Sequence, residues 1–562
     1  MKHLLFLIAL LTAVHSYSQK TPMHSRPNFY LDDWEGKTFT GLPRGSTDLP
    51  AIEKAHTVTA KIDFSDTLTK VSKYVFGVNS NNWQGGTSTL YDKEMMRHLG
   101  NLGTSALRYP GGNFANEFFF DAVSPMDFPP NVPDSISKKH CDWCDNPKPH
   151  PGMLTEGWRL STELFYALLF ELNTNASICV NYSYARYNTA PDRATRVAQA
   201  AGYAAEWVRQ ANVVNKLGIK FWEVGNENMG TWQAGYHDWN NGIISGKEYG
   251  EDFCVFVDSM KAVDPTIKIG AITYEVPPEH GFDEAGVMRN WNRTMFPEIK
   301  DKADYLVIHS YFTPYGKPCT PQQMLNTVDS IAGFADNVNH EWTTYTGKPV
   351  NSIPLAMTEF NTFSTSKVGD KEGASNVSHT SGVFFAHALG EYVRQGYGQA
   401  IMWDLVNGYN DGDDHGMFSA HEHDVPNRTP HPSFFHYYFY NKTFGDIMWK
   451  HETDNANIRV YPTTFSSGEA GIVLINKSAE TETVELDLQN LNAGDNFYLW
   501  EVFNEDPSSR KTGINGIFND IKAGGPSNYD EIPPHKGEVG GGKIKIESKP
   551  FSVNYIIIDK KK

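Results

Sequence analysis

Phe221-Trp222-Glu223-Val224-Gly225-Asn226-Glu227 is a short apolar run carrying one acid inside it and closed by Gly, Asn and a second acid. Strands covered on both faces read as apolar runs, and in a parallel barrel the residues past their carboxyl ends project into the mouth where ligands bind. Glu227 stands at such an end. Period-two alternation puts Glu223 on the face of Gly225 and Glu227, one layer deeper, where a carboxylate requires a cationic or hydrogen-bonding partner. The competing reading is that Asn226 and Glu227 cap a following helix, a position both residue types suit. Upstream, Val197, Ala201, Ala204, Val208 and Ala211 recur at three- and four-residue intervals from Asp192 to a stop at Gly218. That period is helical, so a helix feeds directly into the run.

The same alternation of helix and apolar strand extends in both directions. The eight candidate strands are Tyr74–Val78, Ala106–Tyr109, Ser177–Asn181, Lys220–Val224, Lys268–Ile272, Tyr305–His309, Pro354–Thr358 and Ala400–Trp403. They predict an α/β fold, a (β/α)8 TIM barrel with enlarged loops over residues 71–448. An open doubly wound sheet is the alternative, but no glycine-rich dinucleotide fingerprint follows the first strand. Beyond Lys450 the helical period disappears, and runs such as Gly471–Ile475 and Val553–Ile558 predict a C-terminal all-β sandwich domain over residues 449–562. Residues 19–70 form an N-terminal segment, Pro-, Gly- and Asp-rich to Pro50 and expected to wrap the surface. Its alternating stretch Thr57–Phe64 predicts a strand that joins the β-domain.

Lys2 and His3, an apolar run from Leu4 to Val14, and small residues Ser16 and Ser18 read as a signal peptide over residues 1–18. Export to the periplasm or the medium is the expectation, without a lipid anchor because no Cys follows the junction. No later apolar stretch is long enough for a membrane span. A formal charge of -17 argues against a nucleic-acid partner, which needs clustered Lys and Arg. Aromatic residues make up 13% of the chain, and rings with one polar edge suit sugar faces. Of the five cysteines, Cys141 and Cys144 flank Asp142-Trp143 near His150 and read as a local disulfide or half of a zinc site. No second ligand pair accompanies them, so neither metal nor cofactor is expected. The acidic loop Asp411–Asp414 has oxygen ligands but lacks the ordered spacing of a calcium loop.

Just past the strand ends stand Trp83, Arg108, Asn113, Asn181, Asn226, Glu227, Glu275, His309, Tyr311, Glu359 and Trp403. Glu227 and Glu359 end the fourth and seventh strands, on opposite sides of the bowl. Glycoside hydrolysis uses such a pair, one protonated carboxyl for the leaving oxygen and one ionised group for the anomeric carbon or its attacking water; a gap of about 5 Å favours retention.

Trp222–Glu227 resembles the strand-four signature of clan A glycoside hydrolases, in which an Asn-Glu pair supplies the acid/base. Leu107-Arg108-Tyr109-Pro110-Gly111-Gly112-Asn113, Ile308-His309-Ser310-Tyr311 and Met357-Thr358-Glu359-Phe360-Asn361 are similar to strands two, six and seven of the α-L-arabinofuranosidases of that clan. The resemblance implies a retaining enzyme with Glu227 as acid/base, Glu359 as nucleophile and Asn226 as donor to the substrate 2-hydroxyl. It implies that Arg108, His309 and Tyr311 orient the carboxylates and that Trp403 is a sugar platform. Trp83, Asn113 and Asn181 are read as further binding residues from their strand-end positions facing the same bowl, and Glu275, past strand five, as a binding or structural residue. Between Asn113 and Ser177 the chain departs from the family pattern with a long Pro-rich insertion. An insertion at the mouth fits an open groove and endo action on plant or algal cell-wall polysaccharide; a closed pocket for an exo-acting arabinofuranosidase is the alternative. A glycan-binding protein that has lost hydrolysis is the reading from another class.

Overall fold

The computed structural model describes residues 28–42, 45–52, 57–136, 147–240, 242–281, 283–313, 317–370, 372–408 and 415–561. Cys141, Cys144 and the acidic loop Asp411–Asp414 lie outside the described residues, as does the segment read as a signal peptide.

Eight parallel strands close into a barrel: β1 (Phe76–Asn79), β2 (Ala106–Tyr109), β3 (Asn175–Val180), β4 (Phe221–Val224), β5 (Lys268–Ile272), β6 (Tyr305–Tyr311), β7 (Leu355–Asn361) and β8 (Gln399–Met402). Each strand pairs with its sequence neighbours, and β8 returns to β1 to close the ring. The strands are apolar because helices cover the outside while side chains fill the inside. The helix Arg193–Val208 shows the pattern that makes this work. Asp192 caps it by accepting from Thr195 N at 2.8 Å, and its buried stripe of Val197, Ala200, Ala201, Ala204 and Val208 faces the barrel. A cap of this kind contributes about 1 kcal/mol.

Two registers break near the mouth. Between β6 and β7 the ladder shifts after Ile308, so that His309 pairs with Glu359, skipping Thr358. Between β7 and β8 it shifts again after Met357. Such irregularities re-aim side chains, and here they bring His309 beside Glu359.

The C-terminal part is one eleven-stranded sheet, mostly antiparallel. Residues from both ends of the strand order, including Ala60, Ile62, Leu486 and Ile544 with Phe497, Leu499 and Ile558, share one apolar cluster. The sheet therefore folds over its own core. Thr57–Lys70 lies inside it, antiparallel to Ile447–Thr453 and parallel to Glu482–Gln489. The helix Pro432–Thr443 is buried on nearly every side, as a helix apolar all round must be. Tyr440 donates its hydroxyl to Ala386 O at 2.6 Å, and Phe439 stacks on Tyr555 at 4.7 Å, which joins barrel to sheet.

The N-terminal segment does more than wrap the surface. Asn28 caps a single turn, Phe29–Leu31, and Tyr30 is fully buried under the barrel floor. Its ring lies 5.0 Å from Phe221, 5.9 Å from Tyr305 and 6.4 Å from Tyr74. Composition alone hid this, because Phe29 and Tyr30 stand in a segment dominated by Pro, Gly and Asp. Further on, Lys37 donates to the carbonyls of Asn441 and Phe444, at the end of the helix Pro432–Thr443, and burial lowers its ammonium to about 8.

Candidate active site

The mouth is organised around Arg108, which is wholly buried. Its Nε donates to Glu223 Oε2 at 2.9 Å, Nη1 to Glu359 Oε1 at 2.8 Å and Asn79 Oδ1 at 3.0 Å, and Nη2 to Asn226 Oδ1 at 2.9 Å. A planar fork of fixed charge suits this task, because it can hold several acceptors in one plane. Glu223 thereby gains the cation its burial requires, with Ser177 Oγ donating to its Oε1 at 3.1 Å.

Glu359 accepts from Arg108 on one oxygen and from Tyr311 Oη at 3.1 Å on the other. Glu227 is held from three directions: Trp232 Nε1 at 2.7 Å and Gln233 Nε2 at 3.2 Å on Oε2, and His309 Nδ1 at 3.0 Å on Oε1. The ligand atoms of Glu227, His309 and Glu359 all lie within 4.8 Å of one another. That spacing would admit a metal ion. Arg108, however, already places a permanent positive charge on Glu359, and a divalent cation there would face its repulsion.

The hydrogen-bond chain assigns the proton on His309. Thr358 Oγ1 donates to Glu223 Oε2 at 3.4 Å, so it accepts from His309 Nε2 at 3.1 Å. With Nε2 protonated, Nδ1 and Glu227 Oε1 share one further proton. Burial works against the charged imidazolium, but Glu359 and Glu227 raise His309 above its ordinary value. Burial likewise opposes ionisation of Glu227, and His309 and Trp232 outweigh it and hold that carboxyl low. Between these two groups the proton therefore favours His309. Glu359 is raised by burial, against the pull of His309 and Arg108. Burial also pushes Glu275 up to about 7.

Local backbone geometry sets Glu227 in place. Gly225 has φ +84°, and a Cβ there would approach Asn228 Oδ1 to 1.9 Å. Glu227 itself has φ +44°, a left-handed conformation that costs a non-glycine residue about 1 kcal/mol. Gly230 N donates to Glu227 O at 2.8 Å and holds the turn. No helix starts here, so the capping reading of Asn226 and Glu227 fails. Trp403 lies over Gly112, whose missing Cβ would meet the indole at 2.4 Å. Trp83 is half-buried and packs edge-on against Trp403 at 5.8 Å.

The structure thus brings Arg108, Asn226, Glu227, His309, Tyr311 and Glu359 into one network, with Trp403 and Trp83 at its rim. Asn226 Nδ2 is buried and has no protein acceptor among the described residues, which leaves it able to donate to a ligand. Asn113 is exposed and accepts from Gln233 Nε2 at 2.6 Å. Asn181 is the exception. Its Nδ2 donates to Tyr187 Oη and Phe118 O, and its Oδ1 accepts from Tyr184 N, so this amide braces the loop after β3. Sequence reasoning missed Trp232 and Gln233, and also Asn116, which donates to Asn226 O at 2.7 Å and Gln233 Oε1 at 2.6 Å. An aromatic-amide pair between Gly230 and Gly235 was the available signal.

No protein-family profile matches the chain. Among solved structures, the α-L-arabinofuranosidase from Thermotoga maritima superposes with a TM-score of 0.62 at 16% identity, covering 89% of this chain and 99% of that one. The fold is that of the arabinofuranosidases. Among curated proteins, an intracellular exo-α-(1→5)-L-arabinofuranosidase from Streptomyces lividans is 23% identical over 250 residues, 44% of this chain and 33% of that protein. A second, intracellular exo-α-(1→5)-L-arabinofuranosidase 1 from Bacillus subtilis (strain 168), is 24% identical over 292 residues, 50% of this chain and 51% of that protein. The chain spans about half or less of the curated arabinofuranosidases it matches. Both of these relatives are named intracellular, and that corrects the expectation of export drawn from the first eighteen residues.

Proposed function

We propose that the protein is a retaining glycoside hydrolase acting on plant cell-wall polysaccharide, with Glu359 as nucleophile and Glu227 as acid/base. The observation that carries this reading is the approach of Glu227 and Glu359 oxygens to within 4.8 Å across the mouth, a gap too short to seat an attacking water between them. In the first step a Glu359 oxygen bonds to the anomeric carbon as the glycosidic C–O bond breaks. The Glu227 carboxyl gives its proton to the departing oxygen. In the second step Glu227, now ionised, takes a proton from water, whose oxygen bonds to the anomeric carbon and releases Glu359. Arg108 and Tyr311 aim Glu359 and favour its ionised form against burial, while Asn226 Nδ2 supplies a donor to a substrate hydroxyl. The proton for the first step comes from the store that Glu227 shares with His309.

For the mode of attack, the aromatic rim of Trp403 and Trp83 supports a groove and endo action. The names of the two intracellular relatives favour the second reading, exo removal of arabinofuranosyl residues. Incubation with arabinan, arabinoxylan and xyloglucan, followed by sizing of products, separates the two: internal fragments for endo action, monosaccharide alone for exo. Proton NMR of the first product reads the stereochemistry. Retention of the anomeric configuration is expected, and an inverted first product would rule out Glu359 as nucleophile.

The donor set on Glu227 carries its own expectation. In Trp232→Phe the ionised carboxylate loses a hydrogen bond and its pKa rises, so the alkaline limb of the kcat/KM profile moves to higher pH. A limb that stays in place while the rate falls would show that Trp232 does not govern the acid.

A further inference from the structure

The geometry points to Trp158 as a sugar platform at a distal subsite, stacking on a glycan ring beyond those gripped at the carboxylates; this inference rests on the glycosidase reading for its choice of ligand.

Trp158 is 46% exposed. A half-exposed indole keeps part of its apolar face open to water and available for contact. It is fixed. The Arg159 guanidinium lies 4.2 Å from the indole centroid. Arg159 is itself only 5% exposed and is tied to Glu156 by Nε to Oε2 at 3.0 Å. A cation seated on an aromatic ring holds it in one orientation, so the indole does not need to be ordered by the ligand. A planar apolar surface held rigid and partly open to water matches the C–H face of a sugar ring, with little entropy lost on stacking.

Its location continues the rim of the candidate site. Gly85 N donates to Trp158 O at 3.1 Å, Leu160 N to Asn82 O at 2.6 Å, and Asn82 Nδ2 to Leu160 O at 2.9 Å. Trp83 lies between those two anchored points of the loop after β1, and its ring contacts Trp403 at 5.8 Å and Phe114 at 5.0 Å. Trp403 is 9% exposed, Trp83 half-buried and Trp158 46% exposed. Trp158 is contributed by the insertion after β2, the part of the chain that departs from the arabinofuranosidase pattern. A platform beyond the rim serves a polymer and is of no use to a lone terminal sugar.

The test is affinity electrophoresis through gels cast with arabinan, arabinoxylan or xyloglucan, in a Glu359→Ala background so that the polymer survives. Trp158→Ala is expected to weaken retardation by at least one polymer about tenfold, the equivalent of one lost stacking contact. Trp158→Phe, which keeps a smaller ring, is expected to recover part of it, with the urea midpoint of each variant unchanged. Equal retardation of Trp158→Ala and its parent on every polymer would overturn the proposal. So would retardation by no polymer, or a self-association that Trp158→Ala abolishes, which would make a second copy the occupant. Polymer binding that depends on Trp158 in a wild-type protein that hydrolyses nothing would overturn the glycosidase reading and leave this one standing.

Discussion

Replacing Glu359 by alanine is expected to lower kcat on any cleaved glycan by on the order of 10⁴-fold or more, because no other carboxylate can form the covalent intermediate. Glu275 is an alternative acid past the end of β5, the strand beside β4, but burial raises it to about 7 and it does not share the Arg108 and Tyr311 hydrogen bonds that aim Glu359. Glu227→Ala should behave differently, and the difference identifies the roles. With alkyl leaving groups the loss is about 10²–10⁴-fold, the usual worth of a positioned acid. With a nitrophenyl leaving group the first step needs little protonation, so the glycosyl-enzyme accumulates and a burst appears. Azide, which attacks without a general base, should then restore turnover and give a glycosyl azide of retained configuration. Near-normal turnover of both variants on every substrate would dismiss the assignment, and azide rescue of Glu359→Ala in place of Glu227→Ala would exchange the two roles.

The second large effect is on stability. Arg108→Met removes the guanidinium that Glu223 and Glu359 share at the centre of the barrel, and both carboxylates are nearly or wholly buried. Removing one partner of a buried ion pair costs about 3–5 kcal/mol, because the uncompensated charge stays in a poor solvent. Urea denaturation should show that loss in the midpoint. Adding Glu223→Gln to Arg108→Met is expected to return a good part of it, since the neutral amide no longer needs the guanidinium; coupling between such neighbours is about 0.5–3 kcal/mol. Purely additive losses would mean that Arg108 stabilises through packing and not through charge. Activity should be lost in both variants, as Glu359 and Asn226 both depend on Arg108 for their orientation.

The barrel was legible because its evidence is local. Ala106–Tyr109 and Lys268–Ile272 run to the same residues in sequence and structure, being apolar and bounded by turns. Strands β6 and β7 run further than their apolar stretches, to Tyr311 and Asn361, since polar residues at the mouth still pair in the ladder. Those polar ends are where the site lies, and so composition loses the strand where function begins. The partner of Glu223 was foreseeable as a need, but its identity as Arg108 depends on two strands meeting across the barrel. Trp232 and Gln233 escaped notice because a loop that turns back onto Glu227 has no period. Asn181 shows the opposite case: a polar residue at a strand end can also serve its own loop, as its bonds to Phe118, Tyr184 and Tyr187 do.

The segment before the barrel gives the architecture a property that domain boundaries on a line do not suggest. Tyr30 closes the barrel from below, Lys37 ties off the helix that joins the two parts, and Thr57–Lys70 is an interior strand of the sheet. The sheet is therefore built from chain on both sides of the barrel in sequence, and the barrel is an insertion within it. Neither part can be excised with a single cut. A fragment starting at β1 would leave the floor open and the sheet with a missing interior strand, so unfolding of the two parts should be one event. Linkers and fusions belong at the ends of the whole chain, and any shuffling of the catalytic part between relatives must carry residues 28–70 with the C-terminal sheet.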